Sequence, residues 1–185
     1  MLILPKAGPT KVGFCPMLRA QPSAEILRMA MSSQSEGGVI LLAEDRQEDA
    51  ELLTLAFRQA GIMNTIVVVR DGDEVLSYLL GMGKYENSPL PVLLLMDLKM
   101  PNRNGFDALQ WIREHPTLKP LRIIVLTVSE SIYDVNRAYH LGANSFLIKT
   151  SDLLEMIEQA KQIKAHWIDT PAPEIVRLQA MRKAG

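Results

Sequence analysis

The chain has 185 residues, of which 48% are hydrophobic and 22% charged, proportions that are ordinary for a soluble globular protein. Its formal net charge of −1 provides no positive excess for binding nucleic acid or an anionic membrane surface. The single cysteine, Cys15, excludes an intramolecular disulfide framework. No apolar stretch approaches the roughly 18 residues that span a bilayer. We therefore expect one cytoplasmic domain.

The two ends of the chain differ in composition from its middle. Residues 1–37 mix Pro, Gly, Lys and Arg without sustained periodicity, which predicts a disordered N-terminal extension. Regular alternation occupies residues 38–168, the predicted domain. Residues 169–185 are a C-terminal tail, in which 174–183 are compatible with one short basic helix after the proline-containing break.

Apolar strands and amphipathic helices alternate along the middle of the chain. Continuous apolar or β-branched runs predict strands at 39–44, 65–70, 91–97, 122–127 and 144–149. Helical spacing and stop signals predict helices at 46–61, 71–81, 106–115, 129–142 and 151–168. This alternation favours an α/β fold with a doubly wound five-stranded parallel sheet and helices on both faces.

Polar side chains close four of the predicted strands. They are, in chain order, Glu44 and Asp45, then Asp97, Thr127 and Lys149. The carboxyl ends of parallel strands share one edge of the sheet, and ligands bind at that edge in open α/β sheets. We therefore expect these side chains to lie close together.

This grouping of residue types predicts a metal and phosphoryl site. Carboxylates in one cluster repel each other, by about 4 kcal/mol for a pair about 4 Å apart at an effective dielectric of about 20. Mg²⁺ suits such a cluster because it takes a few carboxylates and completes its shell with water and phosphate oxygens. Lys149 and Thr127 can bind phosphoryl oxygens, and Asp97 can attack phosphorus to form an acyl phosphate.

From about residue 39 to 167 the chain resembles the receiver domain of bacterial two-component response regulators. The resemblance is carried by AED at 43–45, MDLKMPNRNG at 96–105, VLT at 125–127, LGA at 141–143 and FLIK at 146–149. It implies a flavodoxin-like fold and a phosphorylation-dependent switch, not an enzyme. A sensor histidine kinase would be the phosphoryl donor and a downstream protein target would read the signal.

The resemblance also assigns roles to individual residues. Asp97 would be the phosphoacceptor, and Mg²⁺ would be held by Glu44, Asp45, Asp97 and the backbone carbonyl of Lys99. Thr127 and Lys149 would bind the phosphoryl oxygens. Phe146 matches the aromatic switch position, which turns inward when the threonine moves toward the phosphate.

A narrower resemblance concerns RDGDEVLSYL at 70–79 and the long loop after it. These segments are similar to single-domain receivers associated with phytochrome-type sensor kinases. That likeness implies a light- or redox-sensing kinase as donor and often a homodimer.

Two positions depart from the family pattern. Thr150 follows Lys149 where the family usually has a proline after a cis peptide bond. A cis bond before another residue costs about 3–4 kcal/mol, so the sequence leaves the conformation of this bond and the reach of Lys149 open. Lys99, two residues after Asp97, can either shield an acyl phosphate or engage Glu44.

Other interpretations of the same residues remain. The acids can simply cap helices, and Asp45 is a plausible N-cap. A phosphohydrolase with an aspartyl nucleophile would use a second acid where Lys99 stands, and a receiver-like scaffold would bind without being phosphorylated. The spacing of His115, His140 and His166 does not suit a metal site.

Overall fold

The computed structural model describes residues 37–128 and 132–171. Within them, five strands alternate with five α-helices. The strands are β1 (Val39–Ala43), β2 (Thr65–Val69), β3 (Pro91–Asp97), β4 (Ile123–Thr127) and β5 (Ser145–Ile148). The helices are α1 (Gln47–Gln59), α2 (Gly72–Leu80), α3 (Gly105–Glu114), α4 (Ile132–His140) and α5 (Leu153–Ile163). A 3₁₀ turn (Gly83–Tyr85) follows α2, and a π-helical segment (Lys164–Ile168) continues α5.

The strands form one parallel sheet in the order β2-β1-β3-β4-β5. This arrangement confirms the predicted doubly wound sheet. The chain order reverses between β1 and β3, and this is the point at which ligands bind in such sheets, outside the carboxyl ends of the strands.

A core lies on each side of the sheet, because alternate residues of each strand point to opposite faces. Leu41 and Ala43 of β1 face the core that includes residues of α2 and α3. Ile40 and Leu42 face the second core, formed with α1 and α5. All residues of β1 and β4 are buried, which explains their unbroken apolar runs.

The element boundaries depart slightly from the sequence prediction. The Gly83–Tyr85 turn lies inside the predicted loop after α2, and the predicted last helix is α5 together with its π-helical continuation. The expectations for residues 1–36, including Cys15, and for a helix at 174–183 lie outside the described residues. In the described part of the chain, none of the helices has the length and apolar character that crossing a bilayer requires.

Candidate metal and phosphoryl site

The strand ends place the predicted residues at one edge of the sheet. Asp97 and Thr127 are the last residues of β3 and β4. Glu44 directly follows β1, where its N–H donates to the carbonyl of Val69 at 2.9 Å. Lys149 directly follows β5, and its N–H donates to the carbonyl of Thr127 at 2.8 Å. Backbone hydrogen bonds thus continue past the strands and fix the direction in which these side chains leave the sheet.

The three predicted acids form one cluster. One carboxylate oxygen from each of Glu44, Asp45 and Asp97 lies within 4.8 Å of the others. Glu44 is 2% exposed and Asp97 is 8% exposed, whereas Asp45 is exposed. An all-oxygen donor set of this charge suits a hard divalent cation, so the residues present fit the predicted metal.

Lys149 supplies a positive charge inside the same cluster. Its Nζ lies 2.5 Å from Oε2 of Glu44 and 2.5 Å from Oδ2 of Asp97. The described residues contain no cis peptide bond, so the bond from Lys149 to Thr150 is trans. The lysine therefore reaches the acids without the family's usual proline at the next position.

The cluster shifts the pKa values of two of its members. Burial is the largest influence on Glu44 and raises its pKa above the ordinary value of 4.5; the charge of Asp97 adds to this rise, and Lys149 opposes it. Burial lowers the pKa of Lys149, but hydrogen bonds and charges from Asp97 and Glu44 outweigh it, so the net pKa is raised above 10.5. The ammonium is therefore held in its charged form.

The loop after β3 holds Asp97 from its backbone side. The N–H of Lys99 donates to Oδ1 of Asp97 at 2.9 Å, and the N–H of Gly105 donates to the carbonyl of Leu98 at 3.1 Å. A Cβ at position 105 would lie 2.3 Å from the carbonyl oxygen of Asp97, so only glycine fits here. Gly105 belongs to the MDLKMPNRNG motif, but the sequence alone does not indicate its steric role.

The two predicted switch residues lie on neighbouring strands. Thr127 is buried at the end of β4, and Phe146 is half-buried in β5, where it pairs in register with Val125. The ring of Phe146 meets that of Tyr139 edge to face, with 5.9 Å between centroids. The sequence does not predict this contact, because it joins a helix and a strand that the sequence pattern treats separately.

The structure also bears on the alternatives for single residues. The residue at the N-cap of α1 is Arg46, with no side-chain cap, so Asp45 does not cap this helix. The carboxylate of Glu44 is bound by Lys149 and by the N–H of Arg46, and Lys99 is exposed.

Asp49 is a further acid near the site that the sequence analysis does not identify: its Oδ2 lies 3.8 Å from Nζ of Lys149. Its place in the first turn of the helix that directly follows Glu44 and Asp45 was the available signal.

The three histidines do not lie with the acid cluster. His115 and His140 stand at the C-terminal ends of α3 and α4, and His166 lies in the segment that continues α5. Because each helix runs back against its strand, these ends lie toward the opposite edge of the sheet from the acid cluster. His140 and His166 are exposed and His115 is half-buried; Nδ1 of His166 lies 2.9 Å from the carbonyl oxygen of Gln162 in its own helical segment.

Comparison with known proteins decides the family. The family model of the response regulator receiver domain matches residues 40–161. The chain belongs to this family. Receiver domains are signalling proteins that are phosphorylated on an aspartate in two-component systems.

Individual relatives agree with this assignment. The response regulator Rcp1 of Synechocystis sp. is 35% identical over 132 residues, which cover 71% of this chain and 90% of Rcp1. The crystal structure of the phosphorylated cyanobacterial phytochrome response regulator RcpA has a TM-score of 0.69 at 32% identity, covering 74% of this chain and 98% of RcpA. The crystal structure of the Mn²⁺-bound form of Rcp1 has a TM-score of 0.67 at 34% identity, covering 74% of this chain and 98% of that Rcp1 chain.

These similarities confirm the predicted family, the flavodoxin-like receiver fold and the likeness to single-domain phytochrome response regulators. They imply that a sensor kinase is a partner of this protein.

Proposed function

We propose that Asp97 accepts a phosphoryl group from a sensor histidine kinase of the phytochrome type. The observation that carries this proposal is the position of Lys149, whose ammonium lies 2.5 Å from Asp97 in a cluster of three acids. A carboxylate that is buried, oriented by a backbone N–H and flanked by a cation is well placed for attack on phosphorus. Phosphorylated RcpA, a relative in both sequence and fold, supports the same reaction class.

Mg²⁺ would be held by Glu44, Asp45, Asp97 and the carbonyl of Lys99. The Mn²⁺-bound structure of Rcp1 supports a divalent cation in a protein of this fold. When bound, the metal supplies positive charge to the transferring phosphoryl oxygens. It also offsets the mutual repulsion of the carboxylates, which one lysine compensates only in part.

The residues of the chain then act by position and charge. An oxygen of Asp97 attacks the phosphorus, the bond from phosphorus to the donor histidine nitrogen breaks, and its electron pair stays on the nitrogen. Lys149 passes from the carboxylates to a phosphoryl oxygen, and the Thr127 hydroxyl donates to another. The product is an acyl phosphate on Asp97.

Phosphorylation would be transmitted by a change in the surface of the domain. When Thr127 turns toward the phosphoryl group, Phe146 would move into the space behind it and alter its edge-to-face contact with Tyr139. Such a local event biases a packing arrangement with two states. The altered face would bind a downstream protein or a second copy of the chain as a homodimer.

An assay with acetyl phosphate separates this function from its alternatives. In Mg²⁺ we expect stoichiometric labelling of the protein, measured by mass spectrometry, and no labelling in EDTA. Continuous release of phosphate from added phosphoesters would instead support a phosphohydrolase. The exposed Lys99, which stands where a hydrolase would use a second acid, argues against that outcome. Absence of labelling in Mg²⁺ would support the receiver-like scaffold.

A further inference from the structure

A polar link joins the loop after β3 to the start of α2. One oxygen of Asp71 accepts from the N–H of Glu74 at 2.8 Å and thereby caps α2. Its other oxygen accepts from the side-chain amide of Asn102 at 2.6 Å. One carboxylate therefore serves a helix and a separate loop, 31 residues apart in the chain.

Two further contacts join the same two segments. The N–H of Gly72 donates to the carbonyl of Arg103 at 2.9 Å. A Cβ at position 72 would lie 2.6 Å from that carbonyl oxygen, so glycine permits the close approach. The Nε of Arg103 also donates to Oδ1 of Asp73 at 2.7 Å, in an exposed ion pair.

The linked loop carries two groups of the proposed metal site. The N–H of Lys99 holds Asp97 at 2.9 Å, and the carbonyl of Lys99 is the proposed backbone ligand. Within this loop Leu98 and Met100 are buried, but Lys99 and Asn102 are exposed. Packing therefore anchors the first part of the loop, and polar contacts with residues 71–73 hold the part that contains Asn102.

The same β2–α2 segment also contacts the other acid-bearing strand end. Nη1 of Arg70 donates to the backbone carbonyl of Glu44 at 3.3 Å. Residues 70–72 thus contact the segments that carry Glu44 and Asp97, although none of the three residues belongs to the acid cluster.

We propose that Asp71 is a positioning residue of the metal site. Through Asn102 it fixes the loop that presents the carbonyl of Lys99 and the N–H that orients Asp97. Residues that orient metal ligands from outside the coordination shell change metal affinity by about 10- to 100-fold when they are replaced. This inference rests on the proposed function, because it assumes that the acid cluster binds a divalent cation.

Two substitutions break the link in different ways. Asn102 has a φ of 57°, so Asn102→Gly removes the amide donor and keeps a residue that adopts this conformation readily. Asp71→Ser keeps a hydroxyl that can cap α2 but is too short to reach Asn102 as well. In the full chain, we expect each variant to bind Mn²⁺ about tenfold more weakly than the wild type, measured by electron paramagnetic resonance.

The double variant and a matched control distinguish positioning from general destabilisation. If Asp71 acts through Asn102, the double variant binds Mn²⁺ no more weakly than either single variant. Asp152→Ser makes the same change at the N-cap of α5, where the carboxylate accepts from the N–H of Leu154 at 2.8 Å, and should keep the wild-type affinity. Thermal unfolding in EDTA shows whether each variant is folded.

This inference is overturned if both single variants bind Mn²⁺ with the wild-type affinity. It is also overturned if the losses of Mn²⁺ binding free energy in the two single variants add in the double variant. Neither result affects the proposed function, which fails separately if the wild type itself neither binds Mn²⁺ nor accepts phosphoryl at Asp97. Asn102→Gly changes one exposed side chain, so it keeps the test open if Asp71→Ser does not fold.

Discussion

Lys149 helps to explain how the three acids can lie close together. The sequence suggested that a cation is needed to offset their repulsion. In the structure the ammonium of Lys149 lies between Glu44 and Asp97, so the protein itself provides the first positive charge. A metal ion then has to bind next to a lysine that already occupies one oxygen of each of these acids.

Replacing Lys149 by methionine tests this role. The variant leaves two buried carboxylates without their cation, and breaking a buried pair in this way costs about 3 kcal/mol. We expect that loss in the free energy of unfolding measured by urea denaturation in EDTA. Mg²⁺ should stabilise the variant more than the wild type, because it no longer competes with the ammonium.

Lys161→Met is the matched control for this experiment. Lys161 pairs with Glu158 on the exposed side of α5, where an ion pair contributes little. A Lys149 variant that loses no more stability than the Lys161 variant would contradict the role given to Lys149.

The raised pKa of Glu44 predicts a pH dependence. Folded Glu44 binds its proton more tightly than the unfolded residue, whose pKa is 4.5, so its ionisation destabilises the metal-free fold. The stability of Glu44→Gln relative to the wild type should therefore grow as the pH rises from 4.5 through the folded pKa. A pH-independent difference between their unfolding free energies in EDTA would contradict this explanation.

Lys149 predicts a loss of stability in alkali. Its pKa is raised in the folded state, so its contribution is complete below pH 10.5 and disappears as the pH rises through the folded pKa. The wild type should approach the stability of Lys149→Met in that range, measured by denaturation in EDTA. A constant gap between the two proteins would contradict the ion pairs seen here.

At the scale of elements, the sequence predicted more of the sheet than of the site. The five strands and their polar ends follow from apolar runs, which are local signals. The bridge made by Lys149 depends on side-chain positions, because it joins residues 105 and 52 positions apart. The role of Asp71 was likewise missed, since its partner Asn102 comes from another loop and no local pattern connects them.

The junction of β3 and α3 gives a prediction at this scale. Gly105→Ala would place a methyl group 2.3 Å from the carbonyl oxygen of Asp97 and force the strand end and the helix apart. We expect a loss of about 1–3 kcal/mol in thermal or urea unfolding, together with weaker Mn²⁺ binding. Both effects share one cause, because the displaced backbone carries the site.

Gly83→Ala provides the comparison. Gly83 lies on the surface of the fold with a φ of 57°, and nothing lies within 4 Å of the position that an added methyl group would take. The Gly83→Ala variant should lose only about 1 kcal/mol in the free energy of unfolding, through backbone strain, and keep its Mn²⁺ affinity. Equal effects of the two substitutions on Mn²⁺ binding would show that the close approach at Gly105 is unimportant.

At the scale of the whole molecule, the described residues form both cores of the sheet. Arg122 holds the end of the described chain, donating to the carbonyls of Trp167 and Pro171 at 2.5 and 2.6 Å and to the hydroxyl of Thr170 at 2.8 Å. Trp167 and Ile168 pack against the core on the α1 and α5 side. We therefore propose that the receiver domain predicted at 38–168 is completed by the next few residues.

A shortened chain of residues 37–171 tests this boundary. We expect it to melt at the same temperature as the full chain and to be labelled equally by acetyl phosphate. A chain that ends at Ile163 should melt at a lower temperature, because it lacks the apolar contacts of Trp167 and Ile168. A large loss of stability or labelling in the 37–171 chain would show that the residues outside it contribute to the domain.

The most direct test of the central claim is the site of phosphorylation. Wild type, Asp97→Asn and Asp107→Asn are incubated with acetyl phosphate and Mg²⁺, and bound phosphoryl groups are counted by intact-protein mass spectrometry. Asp107 is an exposed aspartate on α3 that does not belong to the acid cluster. We expect one phosphoryl group on the wild type and on Asp107→Asn, and none on Asp97→Asn. Full labelling of Asp97→Asn would contradict the assignment of Asp97 as the phosphoacceptor.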